Sequence, residues 1–186
     1  MNAVFAITYT VWLLSELLLN RLLHSKGNDK KGADRNSLSV IWFTIIVSIS
    51  LSIYISIALH FPIFSDPFYA YIGIGLIISG IILRFAVIKS LGRFFTVDVT
   101  IREGHTLKKD GFYKYFRHPS YFASLLSFTG FGISLNNWLC LIIIVTAIVI
   151  AFSIRIKVEE KALVEQFGSA YAEYKKTTSG FIPFIH

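Results

Sequence analysis

The sequence predicts an all-α integral membrane protein with five transmembrane helices. Hydrophobic residues make up 54% of the 186 residues, and the mean hydropathy is +0.63, more apolar than an ordinary soluble domain. The charged residues come in blocks, separated by long stretches that carry no charge. About 20 apolar residues in a helix cross a hydrocarbon core of about 30 Å, so each such stretch predicts a span. We expect a single membrane domain over residues 1–186.

Each span is read from one charge-free stretch. These stretches are Ser37 to His60, Pro67 to Leu83, Pro119 to Ile154, and an opening stretch to Asn20 that only Glu16 interrupts. The third is too long for one crossing, and Asn136-Asn137 near its middle predicts a tight turn between two helices. The predicted spans lie near residues 3–23, 38–60, 68–90, 119–135 and 138–157. The first lacks a basic leading region and a cleavage pattern, so we expect it to remain.

Lysine and arginine predict the orientation. The loops after the first and third spans and the C-terminal tail are basic, whereas residues 61–66, residues 136–137 and the N-terminus carry no lysine or arginine. Basic residues collect on the cytoplasmic side, so we expect the N-terminus outside and the C-terminus in the cytosol. The host would be the cytoplasmic membrane of a prokaryote or an endoplasmic-reticulum-type membrane of a eukaryote.

Composition also disfavours several partners. The net charge of +7 is explained by basic juxtamembrane loops, which have a topological role and contact anionic membrane lipids, so we expect no nucleic acid. The single cysteine, Cys140, excludes an intramolecular disulfide and a cysteine-rich zinc site, and we expect no metal.

Two cytosolic segments are longer than a connection needs, residues 92–117 and 157–186, and they mix aromatics, glycines and charges. Loops of this kind usually carry function. Helical spacing of apolar residues continues beyond Lys157, and Gly168 predicts its end.

The sequence Arg117-His118-Pro119-Ser120-Tyr121 ends the first of these segments and starts the fourth span. Pro119 suits the first turn of a helix, and Arg117 can extend to lipid headgroups, so these two leave structure and function equally open. His118 and Tyr121 project from one side of that turn, beside backbone N–H groups that attract negative charge. A ligand with a carboxylate could dock there.

Arg155 and Glu159 share a helix face because they are four residues apart. A solvent-exposed ion pair is the alternative, but such a pair contributes only about 0.3 to 0.5 kcal/mol and this order is the less favourable one. We therefore favour a ligand role. Glu160 is turned about 100° away and should face solvent or support a neighbouring loop.

Ionisable residues and glycines stand out inside the spans. Glu16 and Arg84 are functional candidates by default, although we favour the view that they pair with each other or extend to the membrane surface. Five glycines are expected where helices pack closely: Gly73, Gly75, Gly80, Gly130 and Gly132.

From about residue 80 to the C-terminus the chain resembles the isoprenylcysteine carboxyl methyltransferase family, in the wider group that includes phospholipid N-methyltransferases. The motifs are His105-Thr106-Leu107, Gly111-Phe112-Tyr113, Arg117 to Tyr121, Arg155 with Glu159-Glu160 and Leu163, Phe167-Gly168, Tyr171, Tyr174, and Gly180 to Pro183. Their order and spacing are more specific than any one of them. The chain lacks the additional N-terminal helices of eukaryotic members and looks like a short, prokaryotic-type member.

The resemblance implies an S-adenosyl-L-methionine-dependent carboxyl O-methyltransferase, with S-adenosyl-L-homocysteine as product. Its pocket would be cytosolic, formed by the 92–117 loop and the C-terminal segment, with the catalytic part at about 80–186. Arg155 would be catalytic by holding the carboxylate of a lipophilic acceptor, either prenylcysteine-like or a lipid. The implied cofactor contacts are Asp98, His105, Thr106, Leu107, Lys108, Tyr113, His118, Pro119, Ser120, Tyr121 and Glu159. Asp98 departs from the neutral polar residue expected there.

Three other functions remain open from the sequence. A lipid amine N-methyltransferase has less use for Arg155, and a non-enzymatic membrane interaction protein would use the motifs only to stabilise loops. A nicotinamide-dependent membrane reductase ranks low because no Gly-x-Gly-x-x-Gly loop follows a strand.

Overall fold

The computed structural model describes residues 3–23, 30–31, 37–97, 100–101 and 106–181. Within these ranges the regular secondary structure is helical apart from one pair of two-residue strands. The α-helices are Ala3–Leu22 (α1), Ser37–Ala58 (α2), Tyr71–Leu91 (α3), Pro119–Ser134 (α4), Trp138–Phe167 (α5) and Ser169–Thr177 (α6). The strands Lys30–Lys31 (β1) and Thr100–Ile101 (β2) pair antiparallel, and short 3-10 turns lie at Pro67–Ala70, Gly92–Phe94 and Gly111–Lys114.

Four helices in the described residues are long and apolar enough to cross a membrane: Ala3–Leu22, Ser37–Ala58, Pro67–Leu91 and Trp138–Phe167. The sequence predicted five. The difference is α4, which forms where predicted but has 16 residues. At 1.5 Å per residue it extends about 24 Å, short of a hydrocarbon core of about 30 Å. A fifth crossing therefore stays a prediction. The orientation of the chain in the membrane also stays a prediction.

The turn between α4 and α5 forms at the two asparagines, as predicted. Asn136 adopts φ 48°, a left-handed conformation that asparagine tolerates better than most residues. The Asn137 side chain caps α5 by accepting from the N–H of Leu139 at 3.0 Å. The Asn136 amide also exchanges two hydrogen bonds with the backbone of Phe64, at 2.9 and 3.1 Å. This ties the connection between α2 and α3 to the same end of the molecule.

At its other end α5 continues ten residues beyond the predicted span and ends at Phe167. Gly168 follows with φ 55°, a backbone conformation that glycine adopts without strain, and its N–H bonds to the carbonyl of Val164. The predicted helix beyond Lys157 and the predicted glycine cap are both confirmed. The chain turns at Gly168 into α6, which brings the C-terminal segment back toward the start of α4.

Glycines bring α3 and α4 into close contact. A Cβ added at Gly130 would lie 2.5 Å from the carbonyl oxygen of Gly73 and 2.8 Å from the N–H nitrogen of Ile77, so only glycine fits. Gly80 faces Ser127 and Ala123 of α4 in the same way, and Gly132 lies against Leu141 of α5. The expectation for Gly75 is wrong, because an added Cβ would meet no described atom within 4 Å.

The two charges inside the spans form a pair. The Nε of Arg84 lies 3.0 Å from a carboxylate oxygen of Glu16, and both side chains are 16% exposed. The Nη1 of Arg84 also donates to the carbonyl and hydroxyl oxygens of Ser120, at 3.2 and 3.1 Å, and to the hydroxyl of Ser124. The pair therefore joins α1, α3 and the first turns of α4.

We expect Gly130→Ala to lower the stability of the protein, because the added methyl group meets backbone atoms that cannot move aside. Overpacking of this kind costs about 1 to 3 kcal/mol. Gly75→Ala is the matched control, since its methyl group points into open space and alanine favours the helix. The measurement is the thermal unfolding midpoint of each variant in detergent. Equal midpoints for the two variants would contradict the close packing of α3 on α4.

Candidate active site

One cavity contains most of the residues that the sequence singled out. Its volume, open mouth included, is about 1380 Å³. Nine of the twelve predicted site residues line it: Leu107, Lys108, Tyr113, His118, Pro119, Ser120, Tyr121, Arg155 and Glu159. Thr106 is exposed and is not part of the lining. Asp98 and His105 lie outside the described residues, so their predicted contacts remain predictions.

The start of α4 lies directly against α5. Pro119 occupies the first turn of α4, and His118 immediately before it is 4% exposed. The Nδ1 of His118 lies 3.7 Å from Glu159, and the hydroxyl of Tyr121 donates to Glu159 at 3.0 Å. The two motifs that the sequence placed 34 or more residues apart thus meet in one place. This juxtaposition is what a shared binding site requires.

Arg155 is buried at the inner wall of the cavity, with 2% of its surface exposed. Its Nη1 donates to the hydroxyl of Ser37 at the start of α2, and its Nη2 donates to the carbonyl of Val97 at 2.7 Å. Its guanidinium also lies near the hydroxyl of Tyr121. The alternative of a solvent-exposed ion pair on α5 is therefore wrong. The guanidinium is oriented by hydrogen bonds to two different parts of the chain, the start of α2 and the segment that follows α3.

Glu160 supports a neighbouring segment rather than facing solvent. Its two carboxylate oxygens accept from the Nε of Arg117 at 2.7 Å and from the Nζ of Lys175 at 2.6 Å. Arg117 also donates to the carbonyls of Lys175 and Thr178, and its side chain is 5% exposed. It therefore does not extend to a lipid headgroup. The Nε2 of His118 lies 3.4 Å from the same carboxylate. This cluster fastens α6 and the residues after it to the start of α4.

Three buried tyrosines form the part of the cavity next to α6. The hydroxyl of Tyr174 donates to the carbonyl of Tyr113 at 2.5 Å, whereas the Tyr171 hydroxyl meets no hydrogen-bond partner among the described residues. Burial, followed by the charges of Glu160 and Glu159, raises the pKa of Tyr171, and burial raises the pKa of Tyr174 to about 12. Burial and the charge of Glu159 likewise raise the pKa of Tyr113. All three remain neutral hydrogen-bond donors near neutral pH.

Apart from the functional candidate Glu16, sequence reasoning missed the wall that α1 and α2 contribute. Its polar members are Glu16, Asn20 and Trp42, and its apolar members are Leu38, Ile41 and Ile45. The α2 residues recur at helical spacing, but the same spacing marks any helix that packs in a core. The family resemblance begins only near residue 80, so it assigned no role to this half of the chain. Tyr171 and Tyr174, three apart on α6, were noted in the resemblance but not as site residues.

Comparison with known proteins identifies one enzyme family. The family model for the isoprenylcysteine carboxyl methyltransferase (ICMT) family matches residues 73–165, half of the chain. Protein-S-isoprenylcysteine O-methyltransferase B of Arabidopsis thaliana is 32% identical over 162 residues, covering 83% of this chain and 82% of the relative. A probable protein-S-isoprenylcysteine O-methyltransferase of Oryza sativa subsp. indica is 28% identical over 186 residues, covering 98% of this chain and 95% of the relative.

A solved structure shares the fold. The structure of a eukaryotic intramembrane Ras methyltransferase, an isoprenylcysteine carboxyl methyltransferase, superposes with a TM-score of 0.64 at 25% sequence identity. The match covers 98% of this chain and 64% of that chain, so this chain spans less than two thirds of the length of that enzyme. The matched family region runs from α3 into α5 and includes His118, Arg155 and Glu159.

Proposed function

Because the chain belongs to the isoprenylcysteine carboxyl methyltransferase family, we propose that it methylates the carboxylate of a lipophilic, prenylcysteine-like acceptor within the membrane. The methyl donor is S-adenosyl-L-methionine, and S-adenosyl-L-homocysteine is the product. The observation that carries the proposal is the arrangement of Arg155, Tyr121 and Glu159 in one cavity, at the start of α4. A cation and an anion are thereby held side by side, where an anionic acceptor and a cationic donor must meet.

The residues of the cavity fit this cofactor. Glu159 offers a carboxylate to a cationic ligand, and the Tyr171 hydroxyl is buried without a partner among the described residues, as expected for a donor that a ligand satisfies. Leu107 and Tyr113 offer apolar and aromatic surface for an adenine ring. Lys108 and the His118 to Tyr121 turn complete the set of residues that would hold the cofactor. When bound, S-adenosyl-L-methionine supplies an electrophilic methyl group on a sulfonium.

Arg155 binds and orients the acceptor. A carboxylate with a pKa of about 3.5 is already ionised at neutral pH, so the protein needs no general base. Its task is to align the acceptor and to remove water, and fixed geometry alone can contribute on the order of 7 to 11 kcal/mol. Ser37 and Val97 fix the plane of the Arg155 guanidinium, which suits a bidentate bond to a carboxylate. The burial of Arg155 excludes water from that bond.

The apolar wall of α2, together with Phe128 and Phe152, would accommodate a lipid tail. We place the chain in the membrane with five spans, the N-terminus outside and the cavity open to the cytosol, in the cytoplasmic membrane of a prokaryote or an endoplasmic-reticulum-type membrane. Membrane lipids then surround α1, α2 and the outer faces of α3 and α5, which carry exposed large hydrophobic side chains. Residues 1–186 form a single membrane domain, with the catalytic part at about 80–186.

The proposal is tested by incubating the full chain in detergent or vesicles with a radiolabelled methyl donor and lipid-tailed acceptors. One acceptor carries a carboxylate, as in an N-acetyl-S-prenylcysteine, and another of equal tail length carries an amine. We expect label only in the carboxylate acceptor, in a product that base hydrolyses to labelled methanol. A base-stable product from the amine would show an N-methyltransferase instead. Absence of transfer together with no heat from S-adenosylhomocysteine would favour a non-enzymatic protein.

A further inference from the structure

The Glu16–Arg84 pair lies on the wall of the cavity as well as inside the helices. Both side chains line the space that Ser120 and Glu159 also line. The Nε of Arg84 lies 3.0 Å from a carboxylate oxygen of Glu16, and its Nη1 donates to Ser120 and Ser124. Among the described residues, no hydrogen bond uses the Nη2 of Arg84 or the second carboxylate oxygen of Glu16. One donor and one acceptor of the pair therefore remain for a ligand.

The charge of the pair determines what such a ligand can be. Two opposite charges at this depth are expensive to keep, and a pair that only joined helices could be replaced by apolar residues without loss. The pair is neutral overall, and its members are 3.0 Å apart. A lone carboxylate would gain Arg84 but would lie beside the negative charge of Glu16. A zwitterion satisfies both members, because its carboxylate faces Arg84 and its ammonium faces Glu16.

Groups on either side of the Glu16–Arg84 pair match its charge preferences, with an acceptor near Glu16 and backbone N–H groups near Arg84. Asn20 lies four residues after Glu16 on α1, so it shares the face of α1 that lines the cavity. Its carboxamide oxygen is buried without a partner among the described residues, and it is a second acceptor for an ammonium. On the other side, Arg84 holds the carbonyl and hydroxyl of Ser120 in the first turn of α4. The backbone N–H groups of that turn favour a negative charge.

We infer that Glu16, Asn20 and Arg84 form the subsite for the zwitterionic amino-acid end of the methyl donor. This assignment rests on the proposed function, in which that end is the one zwitterion present and the acceptor is a monoanion held by Arg155. Arg84 binds the α-carboxylate together with the first turn of α4, and Glu16 and Asn20 bind the α-ammonium. The subsite is built by α1 and α3, outside the residues that the family motifs mark.

The test is isothermal titration calorimetry of the full chain in detergent with two ligands. S-adenosylhomocysteine carries the amino-acid end, whereas 5′-methylthioadenosine has the same nucleoside and thioether without it. In Arg84→Met we expect affinity for S-adenosylhomocysteine to fall roughly tenfold to a hundredfold, as for the loss of a charge-assisted hydrogen bond. Affinity for methylthioadenosine should not change. Lys89→Met, on the exposed end of α3 and outside the cavity, should alter neither.

A second pair of measurements separates the two charges. Glu16→Gln should lower the affinity for S-adenosylhomocysteine. It should not lower the affinity for the analogue whose α-amino group is replaced by hydrogen. Glu16→Leu combined with Arg84→Met leaves no lone charge, so it should fold, bind methylthioadenosine normally and lose the preference for S-adenosylhomocysteine. An equal fall for both ligands, or no fall for either, would overturn the subsite. A wild-type chain that binds neither ligand would instead contradict the proposed function.

Discussion

Arg155→Ala is expected to reduce methyl transfer strongly while S-adenosylhomocysteine still binds. Arg155 is 2% exposed, so a carboxylate that meets it is removed from water along with it. Removing one partner of a buried, hydrogen-bonded charge pair costs about 2 to 5 kcal/mol, which lowers kcat/KM roughly thirtyfold to several thousandfold. Cofactor affinity should stay within a few fold, because Glu159, Tyr113 and Tyr171 remain in place. Initial rates with a prenylcysteine-like acceptor and calorimetry with S-adenosylhomocysteine make the two measurements.

Two companion variants separate recognition from folding. Arg155→Lys keeps the charge but loses the planar fork, so its activity should also fall, since lysine cannot form the bidentate bond. Ser37→Ala removes one hydrogen bond that orients the guanidinium and should reduce activity by a smaller factor than Arg155→Ala. If Arg155→Ala loses cofactor binding together with activity, Arg155 is not specific to the acceptor. If Arg155→Lys is as active as the wild type, orientation of a fork is not what the site provides.

Most of the fold could be predicted from local signals in the sequence. Pro119, Asn136-Asn137 and Gly168 each punctuate the chain through their own backbone preferences, so helix ends could be read without knowledge of partners. The glycines show the limit of this reading. Gly73 and Gly80 are seven apart and share the face toward α4, whereas Gly75 is two residues from Gly73 and turned about 200° away. Helical geometry alone therefore separates Gly75 from the face that packs on α4.

Contacts between residues that are distant in the sequence were harder to predict. The pairing of Glu16 with Arg84 followed from the need to neutralise charge at membrane depth, which leaves few candidates in a chain with so few ionisable residues in its spans. Nothing in the sequence marks Ser37 or Val97 as the partners of Arg155, because one is a common polar residue and the other contributes only a backbone carbonyl. The burial of Arg117 was likewise hidden, since its position next to a membrane helix suggested a headgroup contact.

Glu160→Gln is expected to loosen the C-terminal segment and to weaken cofactor binding as a result. The carboxylate of Glu160 is the common partner of Arg117 and Lys175, and Arg117 is 5% exposed. Removing one charge from a buried pair leaves the other uncompensated and costs about 3 to 5 kcal/mol. We expect faster amide hydrogen exchange in α6 and a lower unfolding midpoint. Affinity for S-adenosylhomocysteine should fall because α6 carries Tyr171 and Tyr174 into the cavity.

Glu173→Gln is the matched control, because it also removes one carboxylate charge, but from an exposed position on α6. The partner of Glu173, Lys176, lies 2.7 Å away, and both side chains are about two-thirds exposed. An exposed pair contributes about 0 to 1 kcal/mol, so this variant should resemble the wild type in exchange, midpoint and affinity. Combining Glu160→Met with Arg117→Met should recover part of the lost midpoint, since no lone buried charge then remains. Equal effects of Glu160→Gln and Glu173→Gln would mean that the buried cluster does not anchor α6. In that case the hydrogen bond from the Tyr174 hydroxyl to the carbonyl of Tyr113 would have to hold the segment in place.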